Sequence, residues 1–241
     1  MGALYNIIIS RILKKQPQQY HRYIKQSFHL SLEAEDGFTL PPESQWGTKN
    51  CREIAELTPQ EVRWCSPLFS FCLPKNVSLN GSPSHYNLLY ITHRNRLTGQ
   101  LLELLAQLQQ RYLLSGDPAD LKQIPRQQLV EQHGVAYPDG CVLDITALSR
   151  LLQGCQVVIR GESRLLRVLL PGKTEWIGGL LWKMLCQSPR LNDMQLTEQL
   201  RLRYGVQYSV THVGSCRRAA ALPALRERVG KCMPRFCSGQ R

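Results

Sequence analysis

The residues in this sequence that most clearly could bind a ligand are its arginines and lysines. The chain has 30 basic and 18 acidic residues, a formal net charge of +12. Positions 201–241 contain one acidic residue, Glu227, and nine basic residues: Arg201, Arg203, Arg217, Arg218, Arg226, Arg228, Lys231, Arg235 and Arg241. Guanidinium groups pair with phosphate oxygens. The charge favours nucleic acid as partner, ahead of an acidic membrane surface, and a solvated basic surface with no specific partner is the alternative.

Cysteine and histidine are the next residues that could do chemistry, as metal ligands. Of nine cysteines, only Cys232 and Cys237 lie close together, and no second pair completes a tetrahedral set. His133 and His212 have no cysteine or carboxylate at ligand spacing. We therefore expect no metal and no cofactor. An odd cysteine count without a secretion signal is typical of reduced thiols, so a cytoplasmic location is expected.

Sequence motifs of the common enzyme classes do not occur. Gly178 and Gly179 lie in an apolar segment with no following Lys-Ser or Lys-Thr, and no Gly-x-Ser-x-Gly elbow is present. We predict that the chain is not an enzyme and takes no small-molecule substrate. A membrane partner is unlikely, because no apolar run reaches the ~18 residues of a span. The basic segment 1–32 is either a helix packed on the body or an amphipathic surface helix.

The elements that would position these residues are predicted to be helices. From residue 94 onwards, apolar residues recur at i, i+3 and i+4, while the polar side is formed by Gln100, Glu103, Gln107 and Gln110. A leucine-rich face of this kind ordinarily packs into a core. The helix should end near Gly116 and Pro118, and a further helix is expected over about 120–133. Residues 153–170 alternate as in extended chain.

Residues 94–150 resemble the sigma-54 family of bacterial RNA polymerase sigma factors. The matching positions are Arg94, Leu97, Thr98, Leu101, Leu105, Gln109, Tyr112 and Leu113, then Ala119-Asp120-Leu121-Lys122 and Thr146-Ala147-Leu148-Ser149-Arg150. The resemblance implies that core RNA polymerase is bound through Arg94, Leu97, Leu101, Gln109 and Tyr112. It also implies that Thr146, Ser149 and Arg150 open a recognition helix near a downstream GC promoter element.

The C-terminal part is similar to the same family's final helix-turn-helix. Its opening is matched by Leu191-Asn192-Asp193, and its promoter-reading box by Ser209, Val213, Arg217 and Pro223. The implied contacts to an upstream GG element are Ser209, Val213 and Arg217, with Arg218 beside them. The chain departs from the box at Val210, Thr211 and His212, which replace two arginines and a threonine, and at Ser215 and Cys216. Neither valine nor threonine can read guanine bidentately as arginine does.

Two further departures concern the length of segments. About eight residues, 135–142, are inserted between Gly134 and Leu143 of the first helix-turn-helix. The insertion is either a surface loop that preserves the helix pair or a sign that the pair no longer docks. The family's activator-contacting region has no counterpart before residue 50, so we expect no response to an enhancer-bound ATPase.

Together these patterns predict a mainly α fold of several small helical domains with two helix-turn-helix units. The expected segments are 1–50, a basic helix and loop; 51–170, the polymerase-binding region with the first helix-turn-helix; and 171–241, the promoter-binding domain with a basic tail. The predicted function is that of a truncated or degenerate sigma-54-like initiation factor that binds promoter DNA and core polymerase. The alternative is a stand-alone basic helix-turn-helix protein without polymerase association.

Overall fold

The computed structural model of the chain describes residues 3–33, 44, 51–73 and 83–225. The predicted mainly helical fold class is confirmed. The helices in the described ranges are α1 (Ala3–Leu13), α2 (Pro17–Glu33), α3 (Pro67–Ser70), α4 (Pro83–Leu108), α5 (Gln110–Ser115), α6 (Arg126–Ala136), α7 (Ile145–Gly154), α8 (Lys173–Gln187), α9 (Asp193–Tyr204) and α10 (Val210–Ala219). The strands are β1 (Ala55–Leu57), β2 (Val62–Trp64), β3 (Gln156–Ile159) and β4 (Glu162–Leu165).

The chain is divided into two compact units. Unit 1 comprises Met1–Gly116 and Ile124–Leu170, and unit 2 comprises Asp117–Gln123 and Pro171–Arg241. The sequence had suggested a separate segment 1–50, but α1 and α2 both contact α4 within unit 1. Their apolar side chains, among them Ile12, Ile24 and Phe28, are buried there. In this structure the N-terminal helices are packed on the body.

The long helix α4 and its continuation α5 form the core of unit 1. Leu97, Leu101, Leu104 and Leu105 of the periodic face are buried and Leu108 is half-buried. On the predicted polar side, Glu103, Gln107 and Gln110 are exposed and Gln100 is half-buried. α5 ends at Ser115, where Gly116 adopts a left-handed φ of 69° and donates its amide hydrogen to the Tyr112 carbonyl. This predicted helix end is confirmed.

The helix expected over 120–133 begins later than predicted. A short 3-10 turn covers Pro118–Asp120, and α6 starts only at Arg126, directly after Pro125. Proline disfavours helical dihedrals at the residue before it, so Ile124 cannot continue a helix into α6. Prolines therefore set the start of both the turn and the helix.

A small sheet of the order β2-β1-β3-β4 completes unit 1. β1 pairs antiparallel with β2 and parallel with β3, and β3 pairs antiparallel with β4. Val157 and Ile159 are buried and alternate with half-buried residues, which confirms the extended chain predicted here. The β3–β4 connection has only two residues, Arg160 and Gly161, with φ of 54° and 78°. Two positive φ values are the pattern of a tight hairpin turn.

The described part of unit 2 contains three α-helices, α8, α9 and α10, which contact one another. Their shared core contains mainly leucines: Ile177, Leu180, Leu181, Met184, Leu185, Leu196, Leu200, Val213, Cys216 and Leu222. Trp176 Nε1 donates a 2.9 Å hydrogen bond to the Leu121 carbonyl and so ties the segment Asp117–Gln123 to α8. Among the described residues, no helix is long and apolar enough to cross a membrane.

Candidate nucleic-acid interface

Helices α9 and α10 form the helix-turn-helix of unit 2. Asn192 caps α9 by accepting a 2.8 Å hydrogen bond from the Gln195 amide, and the Gln195 side chain accepts one from Asn192 in return. Gly205 ends α9 with a left-handed φ of 66°. Ser209 then caps α10 by accepting a 3.2 Å hydrogen bond from the His212 amide. Ser209 is exposed, and its hydroxyl sets where α10 begins.

Two of the predicted DNA contacts in α10 turn out to be internal, which corrects the sequence-based assignment. Val213 is fully buried in the core of unit 2. Arg217 is 7% exposed: its Nε donates to Asp193 Oδ1 at 2.8 Å, and its Nη1 donates to the Leu222 carbonyl at 2.7 Å. The guanidinium therefore joins α10 to the first residue of α9. The spacing of these residues places them on the inner face of the helix, together with Cys216.

The outer face of α10 carries Thr211, Ser215 and Arg218, spaced i, i+4 and i+7 and all exposed. The Ser215 hydroxyl donates to the Thr211 carbonyl at 3.0 Å, and Arg218 Nη2 donates to Ser215 Oγ at 3.1 Å. Of these three, only Arg218 was predicted from the sequence. Thr211 and Ser215 are positions at which the chain departs from the sigma-54 box. They could have been found from helical periodicity, since they face away from Val213.

Further basic side chains lie on the surface of unit 2. Arg190, Arg201, Arg203 and Lys173 are exposed. Arg201 pairs with Glu198, Arg203 donates to Gln187 Oε1 at 3.0 Å, and Lys173 Nζ lies 4.5 Å from the centre of the Tyr208 ring. The remaining basic residues of the predicted tail lie outside the described residues: Arg226, Arg228, Lys231, Arg235 and Arg241.

One ion pair fixes the beginning of unit 2. Lys183 Nζ lies 2.5 Å from Asp117 Oδ2. Burial alone would raise the pKa of Asp117, but hydrogen bonds from Lys183 and from the Ala119 amide outweigh it, so that pKa is lowered overall. The hydrogen bond to Asp117 raises the pKa of Lys183. Both groups therefore stay charged at neutral pH.

α6 and α7 of unit 1, the helices of the predicted first helix-turn-helix, contact each other across the segment described above as an insertion. α6 and α7 remain in contact, and α6 extends to Ala136, so the connection begins at Tyr137. The Tyr137 hydroxyl donates to Glu103 Oε2 at 3.0 Å, and the Cys141 amide donates to Gln100 Oε1 at 3.3 Å. The inserted residues are thus held on α4. Of the two alternatives, the structure has the docked pair with a surface loop.

The three predicted contacts of α7 differ in accessibility. Thr146 is exposed near the start of the helix, which Asp144 caps. Ser149 is half-buried and accepts a 3.3 Å hydrogen bond from Arg126. Arg150 is also half-buried, and its Nη1 donates to Ser10 Oγ at 2.7 Å. Gln153, which the sequence analysis did not single out, is exposed at i+7 from Thr146.

The five residues predicted to bind core polymerase all lie inside unit 1, which corrects that assignment. Leu97 and Leu101 are fully buried, and Tyr112 is 7% exposed. Gln109 is fully buried, and its Nε2 donates a 2.9 Å hydrogen bond to the Leu169 carbonyl. Arg94 is fully buried as well. Side chains in these positions hold helices together and present no surface to a partner.

Arg94 is the least expected of these buried side chains. Its guanidinium carbon lies 3.6 Å from the centre of the Tyr20 ring, its Nη1 donates to the Ile12 carbonyl, and its Nη2 donates to the Lys15 carbonyl at 2.7 Å. Ile12 lies in the last turn of α1 and Lys15 lies two residues beyond its end, a region where backbone carbonyls lack intrahelical partners. Burial lowers the pKa of Arg94, and burial raises that of Tyr20. Arg94 thus caps α1 from α4.

No group of three or more metal-ligating side chains is gathered in the part of the chain that the structure describes. The close pair Cys232 and Cys237 lies outside that part. His133 is buried on α6, 5.1 Å from the ring of Tyr137, and burial lowers its pKa. It therefore belongs to the packing of α6.

No known protein family's sequence model matches this chain, and no curated protein is similar to it by sequence. The resemblance to sigma-54 factors consequently depends on the residues quoted above.

Proposed function

We propose that this chain is a sigma-54-like transcription initiation factor that acts in the bacterial cytoplasm, binding promoter DNA and core RNA polymerase. The observation that carries the proposal is the outer face of α10. Thr211, Ser215 and Arg218 form one exposed, acid-free stripe on a helix whose inner face is fixed to α9 through Arg217. A helix held in this way fits the major groove of duplex DNA.

The side chains of the stripe have the chemistry that base edges require. Arg218 can donate two parallel hydrogen bonds to guanine O6 and N7, with roughly 1 to 3 kcal/mol of discrimination. The threonine and serine hydroxyls accept and donate, and the threonine methyl suits the thymine methyl. Arg190, Arg203 and Lys173, exposed on the same unit, are available for phosphates. The α7 face with Thr146 and Gln153 is the proposed second contact.

Polymerase binding is the less supported half of the proposal, because the five residues implied for it are buried. A polymerase contact would have to use the exposed polar side of α4 and α5, which includes Glu103, Gln107 and Gln110. The same burial favours the second candidate, a stand-alone helix-turn-helix DNA-binding protein without polymerase association.

Two measurements test the proposal and separate the candidates. The first is binding of the full chain to a duplex with GG and GC elements, compared with a scrambled duplex, with Arg218→Ala as the variant. The second is co-purification with bacterial core polymerase, followed by run-off transcription from the same promoter. The sigma-like function requires DNA binding weakened by Arg218→Ala and polymerase subunits in the pull-down. DNA binding without polymerase supports the stand-alone protein, and no duplex binding at all refutes both.

A further inference from the structure

The hairpin β3–β4 in unit 1 is a basic surface element that the function proposed above does not use. It begins two residues after α7: Cys155 follows the helix, and β3 starts at Gln156. The Leu166 amide donates a 2.9 Å hydrogen bond to the Cys155 carbonyl, which closes the base of the hairpin onto the end of the helix. β4 also contacts α7 directly. The hairpin therefore has a fixed position relative to α7.

The hairpin carries a net positive charge on its outer parts. Arg160 is exposed at the turn, Arg164 lies on β4, and Arg167 is exposed two residues beyond the end of β4. The nearest acid in this stretch is Glu162, which is paired with Arg164. Arg160, at the hairpin turn, and Arg167, on the 3-10 turn Leu166–Leu169 that follows β4, are exposed and are not paired with Glu162. Each strand of four residues extends about 13 Å, so the turn stands well away from the base.

The turn holds Arg160 in an unfavourable backbone conformation. Its φ of 54° is unusual for a residue with a side chain, and asparagine or glycine would adopt it more easily. The Arg160 guanidinium lies beside Gly116 at the end of α5, where a built Cβ would be 2.0 Å from Nη1. The side chain is thereby supported while the residue stays exposed.

We propose that this hairpin, together with the 3-10 turn that follows β4, is a second DNA-contacting element of unit 1, in which Arg160 and Arg167 bind backbone phosphates of the duplex that the outer face of α7 approaches. The inference depends on the proposed DNA-binding function. Phosphate contacts of this kind position a protein without reading sequence. The hairpin would therefore increase the affinity and its salt dependence equally for any duplex, whereas α7 and α10 would supply the preference for particular base sequences.

The test measures binding of the full chain to a fluorescently labelled duplex over a series of KCl concentrations. Arg160→Gln and Arg167→Gln should each make the slope of log affinity against log salt shallower by about 0.9. If the affinities of variant and wild type converge near 1 M KCl, this change in slope corresponds to about a fivefold loss of affinity at ~0.15 M KCl. Arg160→Lys should restore most of the loss, since a phosphate contact needs the charge and not the guanidinium fork.

Arg63→Gln is the matched control. Arg63 lies on β2, the opposite edge strand of the same sheet, and pairs with Glu61 two residues away, as Arg164 does with Glu162. It should leave affinity and slope unchanged. The hairpin proposal is overturned if Arg160→Gln and Arg167→Gln behave like Arg63→Gln while Arg218→Ala still weakens binding, and the proposed function survives that result. It is equally overturned if Arg160→Lys is as weak as Arg160→Gln, because the side chain then acts only through its packing on Gly116.

Discussion

Substitution by alanine should have different effects at the adjacent arginines Arg217 and Arg218 of α10. At Arg217 it should lower the stability of unit 2, and at Arg218 it should weaken DNA binding with little effect on stability. Arg217→Ala removes both bonds to Asp193 and the bond to the Leu222 carbonyl. Breaking a buried ion pair costs about 3 to 5 kcal/mol. Because the Asp193 side chain keeps 30% of its exposure, water can screen the carboxylate that is left behind, and we expect the lower end of this range. The free energy of unfolding of unit 2 should therefore fall by about 3 kcal/mol.

Arg218→Ala is the control one position further along. The residue is exposed, and its bond to Ser215 lies on the surface. Its loss should change the free energy of unfolding by no more than about 0.5 kcal/mol. Urea unfolding, followed by the fluorescence of Trp176 and Trp182 in unit 2 and by circular dichroism, measures both variants. Duplex binding is then measured for each variant under conditions in which it is folded.

A double-mutant cycle of Arg217→Ala with Asp193→Ala isolates the pair. We expect a coupling energy of about 1 to 3 kcal/mol, which is the range for groups in direct contact. The reasoning is refuted if Arg217→Ala is as stable as Arg218→Ala and yet lowers DNA affinity with a shallower salt slope. In that case Arg217 would face the DNA, and the inner position described for it would not apply in solution.

Three other predictions concern packing and pH. Arg94→Ala should destabilise unit 1 by about 3 kcal/mol in urea unfolding, since it leaves a cavity beside Tyr20 and removes two donors to backbone carbonyls; exposed Arg111→Ala is the control, and equal effects would contradict the capping role. Because burial holds the pKa of His133 below its usual 6.5, the unfolded chain takes up the proton first. The contribution of neutral His133 to the free energy of unfolding should be fully present above pH 6.5 and should decline as the pH falls towards the folded pKa. In melting curves recorded across this window, His133→Gln should make that decline less steep. Gly205→Ala should cost about 1 kcal/mol through the left-handed φ alone, as no atom crowds the position; an unchanged unfolding midpoint would count against this account of the α9 end.

The sequence predicted the helices and their buried faces more accurately than the roles of individual residues. The leucine spacing correctly gave the buried face of α4, and Gly116 correctly gave the end of α5. Arg94 and Gln109 share the buried side of these helices with the leucines, but both were assigned to polymerase binding, because a charged side chain in a core is expected only when its partners are known. Those partners, Tyr20 and the carbonyls at the end of α1, are about 80 residues away in sequence. Local patterns cannot supply contacts of that range.

The assignment of Arg217 failed for the same reason. An arginine in the last turn of a recognition helix can face DNA or the body of the protein, and its own sequence neighbourhood is identical in both cases. The deciding partner is Asp193, 24 residues earlier. Conversely, the hairpin β3–β4 could be expected as extended chain, but its place in a four-stranded sheet depends on pairing with β1, about 100 residues earlier in the chain.

Many of the matches to the sigma-54 pattern are internal residues. In α10 the matching residues Val213 and Arg217 face inward, whereas the matching Ser209 is exposed. Of the substituted positions, 210, 211 and 215 are exposed, 212 is half-buried and 216 lies in the core. In α4 and α5 the five implied polymerase contacts are all internal. Residues that set packing can be retained independently of what the outer surface binds, since inner and outer positions contribute separately to stability and to recognition. The resemblance therefore supports a common helical frame more strongly than a common promoter sequence, and reading of guanine by a pair of arginines at positions 210 and 211 is not expected of this surface.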